Sequence, residues 1–173
     1  VAPALQEFDY QRAFVLQLTG NPDRDGHPRA PVLLAPGVKF WHTPNGGERR
    51  DAFEGKRLKE MGTQAGIMDL LFLRPTRFTE GTFGLLFSME WKKPDAKRIA
   101  LKHRTQKLLA IRSDLLTRGI ATERTVDMLS DAQLDMHHNL LRAGLAAAIV
   151  VDNLADAKAF CARHGLIRVD KLR

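Results

Sequence analysis

Cysteine is almost missing from this 173-residue chain: Cys161 stands alone, so no intramolecular disulfide can form. No Cys/His spacing of the zinc-finger or zinc-ribbon kind occurs, which removes structural zinc and makes a reducing compartment the expected one. Long apolar runs are missing too. The longest, Leu145 to Val151, falls far short of the roughly 20 residues of a membrane-spanning helix. Around Val1 no basic stretch is followed by an apolar one, so the expectation is a soluble, unexported protein with a cytoplasmic location. At 44% hydrophobic and 27% charged, the composition excludes collagenous, disordered and disulfide-stapled chains. The length suits one domain over 1–173.

Acidic residues are outnumbered, 20 Asp+Glu against 27 Lys+Arg, for a net charge of +7 and a pI of about 9.9. The excess is concentrated. Lys92, Lys93, Lys97, Arg98, Lys102, Arg104, Lys107 and Arg112 share the stretch from Trp91 to Arg112 with Asp95 alone, and the rest of the chain is neutral. With Ile99, Leu101, Leu108, Leu109 and Ile111 among these bases, the segment reads as an amphipathic helix turning a basic face to solvent. Phosphate suits such a face; the alternative is a solvated face that only maintains solubility.

Apolar spacing predicts an opening helix over 3–18 and an irregular, proline-rich loop over 20–37. A half-buried strand is expected over Val38 to His42, then a turn at Thr43-Pro-Asn-Gly-Gly47 and a helix over Arg49 to Met61. Buried strands are expected over Gly66 to Leu73 and Gly84 to Trp91. Beyond the basic segment come a helical stretch broken at Thr117-Arg-Gly119, a helix from Ser130 to Arg142, a strand over Leu145 to Val151 and a last helix over Leu154 to His164. Strands alternating with helices imply an α/β domain with helices on a mixed sheet.

Two of these apolar strands each carry one carboxylate, Asp69 and Glu90. An ionised carboxylate buried without a partner costs several kcal/mol, so each needs a cation or strong donors. Lys92 is available, because residues two apart on a strand share a face; Glu90 and Lys92 project together while Trp91 faces the core. If Asp69 and Glu90 are neighbours, a cation must separate them, and oxygen-only ligation favours Mg²⁺ or Mn²⁺. A buried ion network without chemistry is the other reading of the same residues.

Taken in order, Pro44-Asn-Gly-Gly47, Arg50, Leu58-Lys59 with Gly62, Ala65-Gly66-Ile-Met-Asp69, Glu90-Trp-Lys92 and Ser130-Asp-Ala-Gln133 resemble the VRR-NUC family of the PD-(D/E)xK nucleases, over roughly residues 5 to 165. The resemblance implies a restriction-endonuclease-like core with a basic helical insertion around 95–128. It implies that Asp69, Glu90, the Trp91 main-chain carbonyl and Glu7 hold Mg²⁺ or Mn²⁺, that Lys92 is the catalytic lysine, and that Gln133 stands beside them. Met68 replaces the family's usual proline. Gln133 lies unusually far beyond Glu90, which makes Gln106 its rival, and helix capping is its other expected role.

The activity implied is that of a metal-dependent DNA endonuclease in a bacterial or phage-infected cell, acting as a homodimer on Holliday junctions, without an organic cofactor or a membrane partner. A non-cleaving DNA-binding module and a monomeric nicking or flap nuclease are the alternatives. Asn45, Arg50, Lys93, Lys97, Arg98, Lys102, Arg104 and Lys107 are the candidate DNA contacts. His42 is more simply a strand-end residue than a phosphate contact. His137 and His138, being adjacent, face different sides of their helix and receive no metal role, and Cys161 is read as a core residue.

Overall fold

The computed structural model describes residues 7–20, 32–43, 68–78 and 81–172. In chain order its elements are α1 (Glu7–Thr19), β1 (Lys39–His42), β2 (Leu70–Phe78), β3 (Gly81–Trp91), α2 (Gln106–Thr117), α3 (Glu123–Val126), α4 (Asp131–Arg142), β4 (Ala147–Val151) and α5 (Leu154–Arg163). Short 3₁₀ turns occur at Leu101–His103 and Val169–Lys171. The expected helix over Arg49 to Met61, the turn beyond Thr43, and Asn45 and Arg50 lie outside the described residues.

The strands form one mixed sheet in the order β1-β2-β3-β4, antiparallel except for the parallel pair β3-β4. Period-two alternation gives this sheet two different faces. Leu70, Phe72, Phe87, Met89 and Trp91 point one way, into a core completed by Phe14 and Leu18 of α1 and by Ala157, Phe160 and Cys161 of α5. Phe14 sits against Trp91 with ring centroids 5.6 Å apart. On the other face, Ala148 and Val150 of β4 meet Leu108, Ile111 and Leu115 of α2, Val126 of α3 and Leu134 of α4. Glu90 and Lys92, out of phase with Trp91, belong to this second side.

The helix stops follow backbone chemistry. Gly119 ends α2 at φ +66° and Gly144 ends α4 at φ +100°, conformations in which a Cβ would be strained. A parallel β3-β4 pair requires a long crossover. The stretch from Lys92 to Ala146 supplies it and carries α2, α3 and α4 across the sheet.

Three expectations change. Strand β2 extends through Arg74, Pro75 and Thr76, past the predicted end at Leu73, because β3 pairs with it along its whole length. Pro75 is tolerated there because β1 pairs only with Leu70 to Leu73, leaving the missing N–H on the side without a ladder. Asp69 stands at the bend just before β2 rather than inside the strand. The basic segment is not one helix. Its first part is irregular because its amides are used elsewhere: Lys92 N–H donates to the Val151 carbonyl at 2.8 Å and Ile99 N–H to the Asp127 carbonyl at 2.7 Å. Helix α2 starts only where the Thr105 hydroxyl accepts the Leu108 N–H. Within the expected helical insertion over 95–128, α-helix is confined to Gln106–Thr117 and Glu123–Val126, preceded by the 3₁₀ turn at Leu101–His103.

No helix among the described residues is long and apolar enough to cross a membrane. Phe72 is fully buried between the two sheet neighbours of β2. Phe72→Ala is expected to lower stability by about 3–5 kcal/mol, whereas Val169→Ala at an exposed turn should stay within about 0.5 kcal/mol of wild type, as read from urea midpoints.

Candidate active site

Register assembles the site. Leu70 pairs with Met89, so continuing the β2-β3 ladder by one residue brings Asp69 opposite Glu90. The Asp69 Oδ2 accepts the Trp91 N–H at 2.7 Å, which fixes that carboxylate across the strand pair. Its backbone is held from the other side by Thr43, whose N–H donates to the Asp69 carbonyl at 3.0 Å and whose hydroxyl donates to the Met68 carbonyl. Met68, standing where the resembled pattern has proline, is fully buried, and Asp69 keeps its place opposite Glu90.

Glu90 is 1% exposed and lies 2.8 Å from the Lys92 Nζ through its Oε1. The same Oε1 accepts from the Gln133 Nε2, while Oε2 is buried without a hydrogen-bond partner. Burial, with the Asp69 charge second, raises the Glu90 pKa against the opposing pull of Lys92. For Lys92, burial works against the charged form, but Glu90, Glu7 and Asp69 together outweigh it and hold the ammonium above its ordinary value. The result is a cation surrounded by three carboxylates at one end of the sheet.

Glu7 arrives from α1. Its Oε2 accepts the Lys93 N–H at 3.3 Å, and its pKa is raised, first by burial and then by Asp69, with Lys92 and the Lys93 amide lowering it. Gln133 fulfils both roles weighed for it. Its Oε1 accepts the Ser130 N–H at 3.0 Å in a capping box, and its Nε2 reaches Glu90. Gln106 is an exposed residue at the start of α2, with no hydrogen bond to Glu90. Gln133, not its rival, is therefore the glutamine at this site.

The basic segment divides. Lys97, Arg98 and Lys102 are exposed, and Lys93 and Lys107 pair with Asp95 at 3.2 Å and Asp135 at 2.9 Å. Arg104 is a correction: it is 6% exposed, its Nη2 donates to the Leu129 carbonyl at 2.8 Å, and burial lowers its pKa. Its guanidinium anchors the segment to the turn before α4 instead of facing phosphate. Arg112 likewise binds Asp127, with its Nε 2.8 Å from Oδ1, and also pairs with Glu123.

His137, given no metal role from the sequence, is a buried polar residue whose burial the sequence reading did not anticipate. It is fully buried on α4, and neither ring nitrogen has a hydrogen-bond partner. Burial, reinforced by the Lys92 charge, lowers its pKa to about 3, so it is neutral at ordinary pH. The available signal was its spacing of four from Gln133, which puts both on one helix face. Thr43 was missed as well, having been read only as the start of a turn. Cys161 is the expected core residue, its thiol pushed up to about 12 by burial.

Comparison with known proteins finds no matching family model, no matching curated protein and no matching solved structure. Function must be read from the site itself. Among the described residues, no three His, Cys, Asp or Glu side chains are arranged to hold a metal ion. Two juxtaposed carboxylates with one buried, unpartnered oxygen nevertheless fit Mg²⁺, which is commonly held by one or two carboxylates while retaining several waters. In chemical terms, the arrangement offers hard anionic ligands beside a cationic hydrogen-bond donor.

The depressed pKa of His137 has a measurable sign. An unfolded histidine protonates near 6.5 and this one near 3, so its contribution to stability is complete above about pH 6.5 and is lost as pH falls toward 3, by up to about 1.4 kcal/mol per unit. The stability of His137→Leu relative to wild type is therefore expected to grow as pH drops from 6.5 to 4, in urea melts run at each pH.

Proposed function

We propose that this chain is a metal-dependent DNA endonuclease with a PD-(D/E)xK-type site, cleaving phosphodiester bonds and selecting branched DNA such as Holliday junctions as a homodimer. The observation that carries the reading is the convergence of Asp69, Glu90 and Lys92 at one sheet end, with Gln133 holding the second carboxylate. The buried Oε2 of Glu90, which has no hydrogen-bond partner, leaves that carboxylate room for a further cation.

A bound Mg²⁺ or Mn²⁺ ion supplies Lewis acidity toward a phosphoryl oxygen and a water of lowered pKa. Asp69 and Glu90, with the main-chain carbonyl of Trp91 directly after Glu90 and Glu7 at the margin, are the residues that would hold it. Each carboxylate is oriented before any ligand arrives, Asp69 by the Trp91 amide and Glu90 by Gln133. Lys92 presents a positive charge where negative charge grows on the phosphoryl oxygens during in-line displacement. Lys97, Arg98 and Lys102, exposed just beyond the lysine, neutralise backbone phosphates without reading bases. One chain holds one such site, so paired cuts in two strands call for two chains.

In assays of four-way junction, flap and linear duplex DNA with Mg²⁺ or Mn²⁺, the wild type is expected to place symmetrical paired nicks on the junction. Lys92→Ala and Asp69→Ala should each lower the cleavage rate by a factor on the order of 10² to 10³. Metal-independent binding with no cleavage of any substrate would replace the enzyme with a DNA-binding module. A native mass equal to one chain, together with single nicks, would favour a monomeric nuclease over the dimer.

Salt dependence checks the phosphate contacts separately. Replacing Lys97, Arg98 or Lys102 by Ala should weaken DNA binding regardless of sequence and reduce the slope of log affinity against log salt by about 1 each. Arg104→Ala should instead destabilise the fold by removing a buried donor to the Leu129 carbonyl, visible in a thermal melt.

A further inference from the structure

Trp41 is a large aromatic residue that the fold leaves in the open. It is 42% exposed on β1, whereas the other tryptophan of the chain, Trp91, is fully buried. Register fixes its side of the sheet. Trp41 pairs with Leu71 and Leu71 with Ser88, and residues directly opposite one another in antiparallel strands share a face. Ser88 precedes Glu90 by two residues, so Trp41 stands on the face that carries Glu90 and Lys92. Its chain neighbour Phe40 packs on the opposite core, as alternation requires. Two residues beyond Trp41, about 7 Å along the strand, the Thr43 N–H donates to the Asp69 carbonyl. The indole is therefore a near neighbour of the candidate active site, on the same side of the sheet.

Its surroundings on that face are apolar and basic. Lys39 and Trp41 stand opposite Leu73 and Leu71, and of these four only Leu71 is buried. None of them belongs to the core that α2, α3 and α4 build against β4. Lys39 has no acidic partner among the described residues. An exposed indole with an ammonium beside it is the pairing that holds single-stranded nucleic acid: the ring stacks on a base while the cation neutralises a phosphate of the same strand. A base inside a duplex has both faces covered by its neighbours and reaches a side chain only by leaving the stack. An unpaired base at a branch point has a face to offer.

Resting on the nuclease reading, we propose that Trp41 is a stacking platform for an unpaired base of the DNA substrate, with Lys39 taking the adjoining phosphate. The platform lies across β2 from Glu90, so a strand whose base stacks on Trp41 has its backbone led toward Asp69 and Glu90. Plain duplex gains nothing from this contact. Selection of branched over linear DNA then follows from one aromatic side chain, without any reading of base sequence.

The test uses the full chain in EDTA, with a short oligothymidylate and with the same strand annealed to its complement. Because Trp91 is buried, quenching of the tryptophan emission reports on Trp41. The single strand should quench it and the duplex should not. Fluorescence anisotropy should show Trp41→Ala binding the single strand on the order of 10-fold more weakly with duplex affinity unchanged, and Trp41→Phe, which keeps a ring, recovering most of the loss. Unquenched emission with the oligonucleotide bound, wild-type affinity in Trp41→Ala, or an equal loss for duplex overturns the proposal. So does a native mass that halves in Trp41→Ala, which would make this face a contact between two copies of the chain. Junction cleavage with Mg²⁺, measured in parallel, separates the two readings. Cleavage without quenching removes the platform and leaves the nuclease; quenching without cleavage does the reverse; no binding of either DNA removes the platform whatever the cleavage result. If Trp41→Ala does not fold, the quenching of the unsubstituted protein and the affinity of Trp41→Phe decide.

Discussion

The ion pair between Glu90 and Lys92 is the constraint around which the sheet end is built. A carboxylate 1% exposed to solvent cannot stay ionised on its own, and a lysine two residues along the same strand is the nearest cation the backbone geometry can offer. That pairing is incomplete. One carboxylate oxygen has no partner, and Asp69 adds a second negative charge across the strand pair. Surrounding elements compensate in part: a main-chain amide for Asp69, a glutamine amide for Glu90, and another backbone amide for Glu7. Each of these donors is fixed by secondary structure, so the charges are held in place before anything binds.

The long crossover between β3 and β4 contributes more than connectivity. Its first part leaves the sheet as an extended strap pinned by Ile99 to Asp127 and by Arg104 to Leu129. These attachments converge on the turn immediately before α4, whose first and second turns carry Gln133 and His137. The segment that presents Lys97, Arg98 and Lys102 to solvent is thus tied to the start of the helix that supports the carboxylates. Charges buried along it, Arg104 and Arg112, hold that scaffold together, which is why a count of basic residues overstated the surface charge.

Much of this was legible in the residues. Helix ends at Gly119, Gly144 and Gly165, the strands, and the shared face of Glu90 and Lys92 follow from periodicity and from glycine chemistry. The juxtaposition of Asp69 with Glu90 was anticipated from a motif but depends on strand register, which only pairing decides. The irregular strap was misread as helix because apolar residues among lysines fit a helical period; periodicity does not show that the amides of Lys92 and Ile99 bond to β4 and to the Asp127 carbonyl. His137 was weighed only as a metal ligand, with His138, and set aside, because a histidine carries little further signal until its burial is known. The roles of Arg104 and Thr43 were hidden for the same reason: both are set by tertiary partners distant in sequence.

The capping box of α4 has a dynamic consequence. The Gln133 side chain commits its oxygen to Ser130 and its nitrogen to Glu90, so the amide closes the helix start and clamps the carboxylate with a single planar group. Fraying of the first turn of α4 and release of Glu90 are consequently one event, with one opening free energy. Any ligand that tightens Glu90 slows hydrogen exchange at the first amides of α4, and any loosening of that turn is transmitted to the carboxylate within the same motion. The helix start therefore serves as an internal reporter of whether the sheet end is occupied.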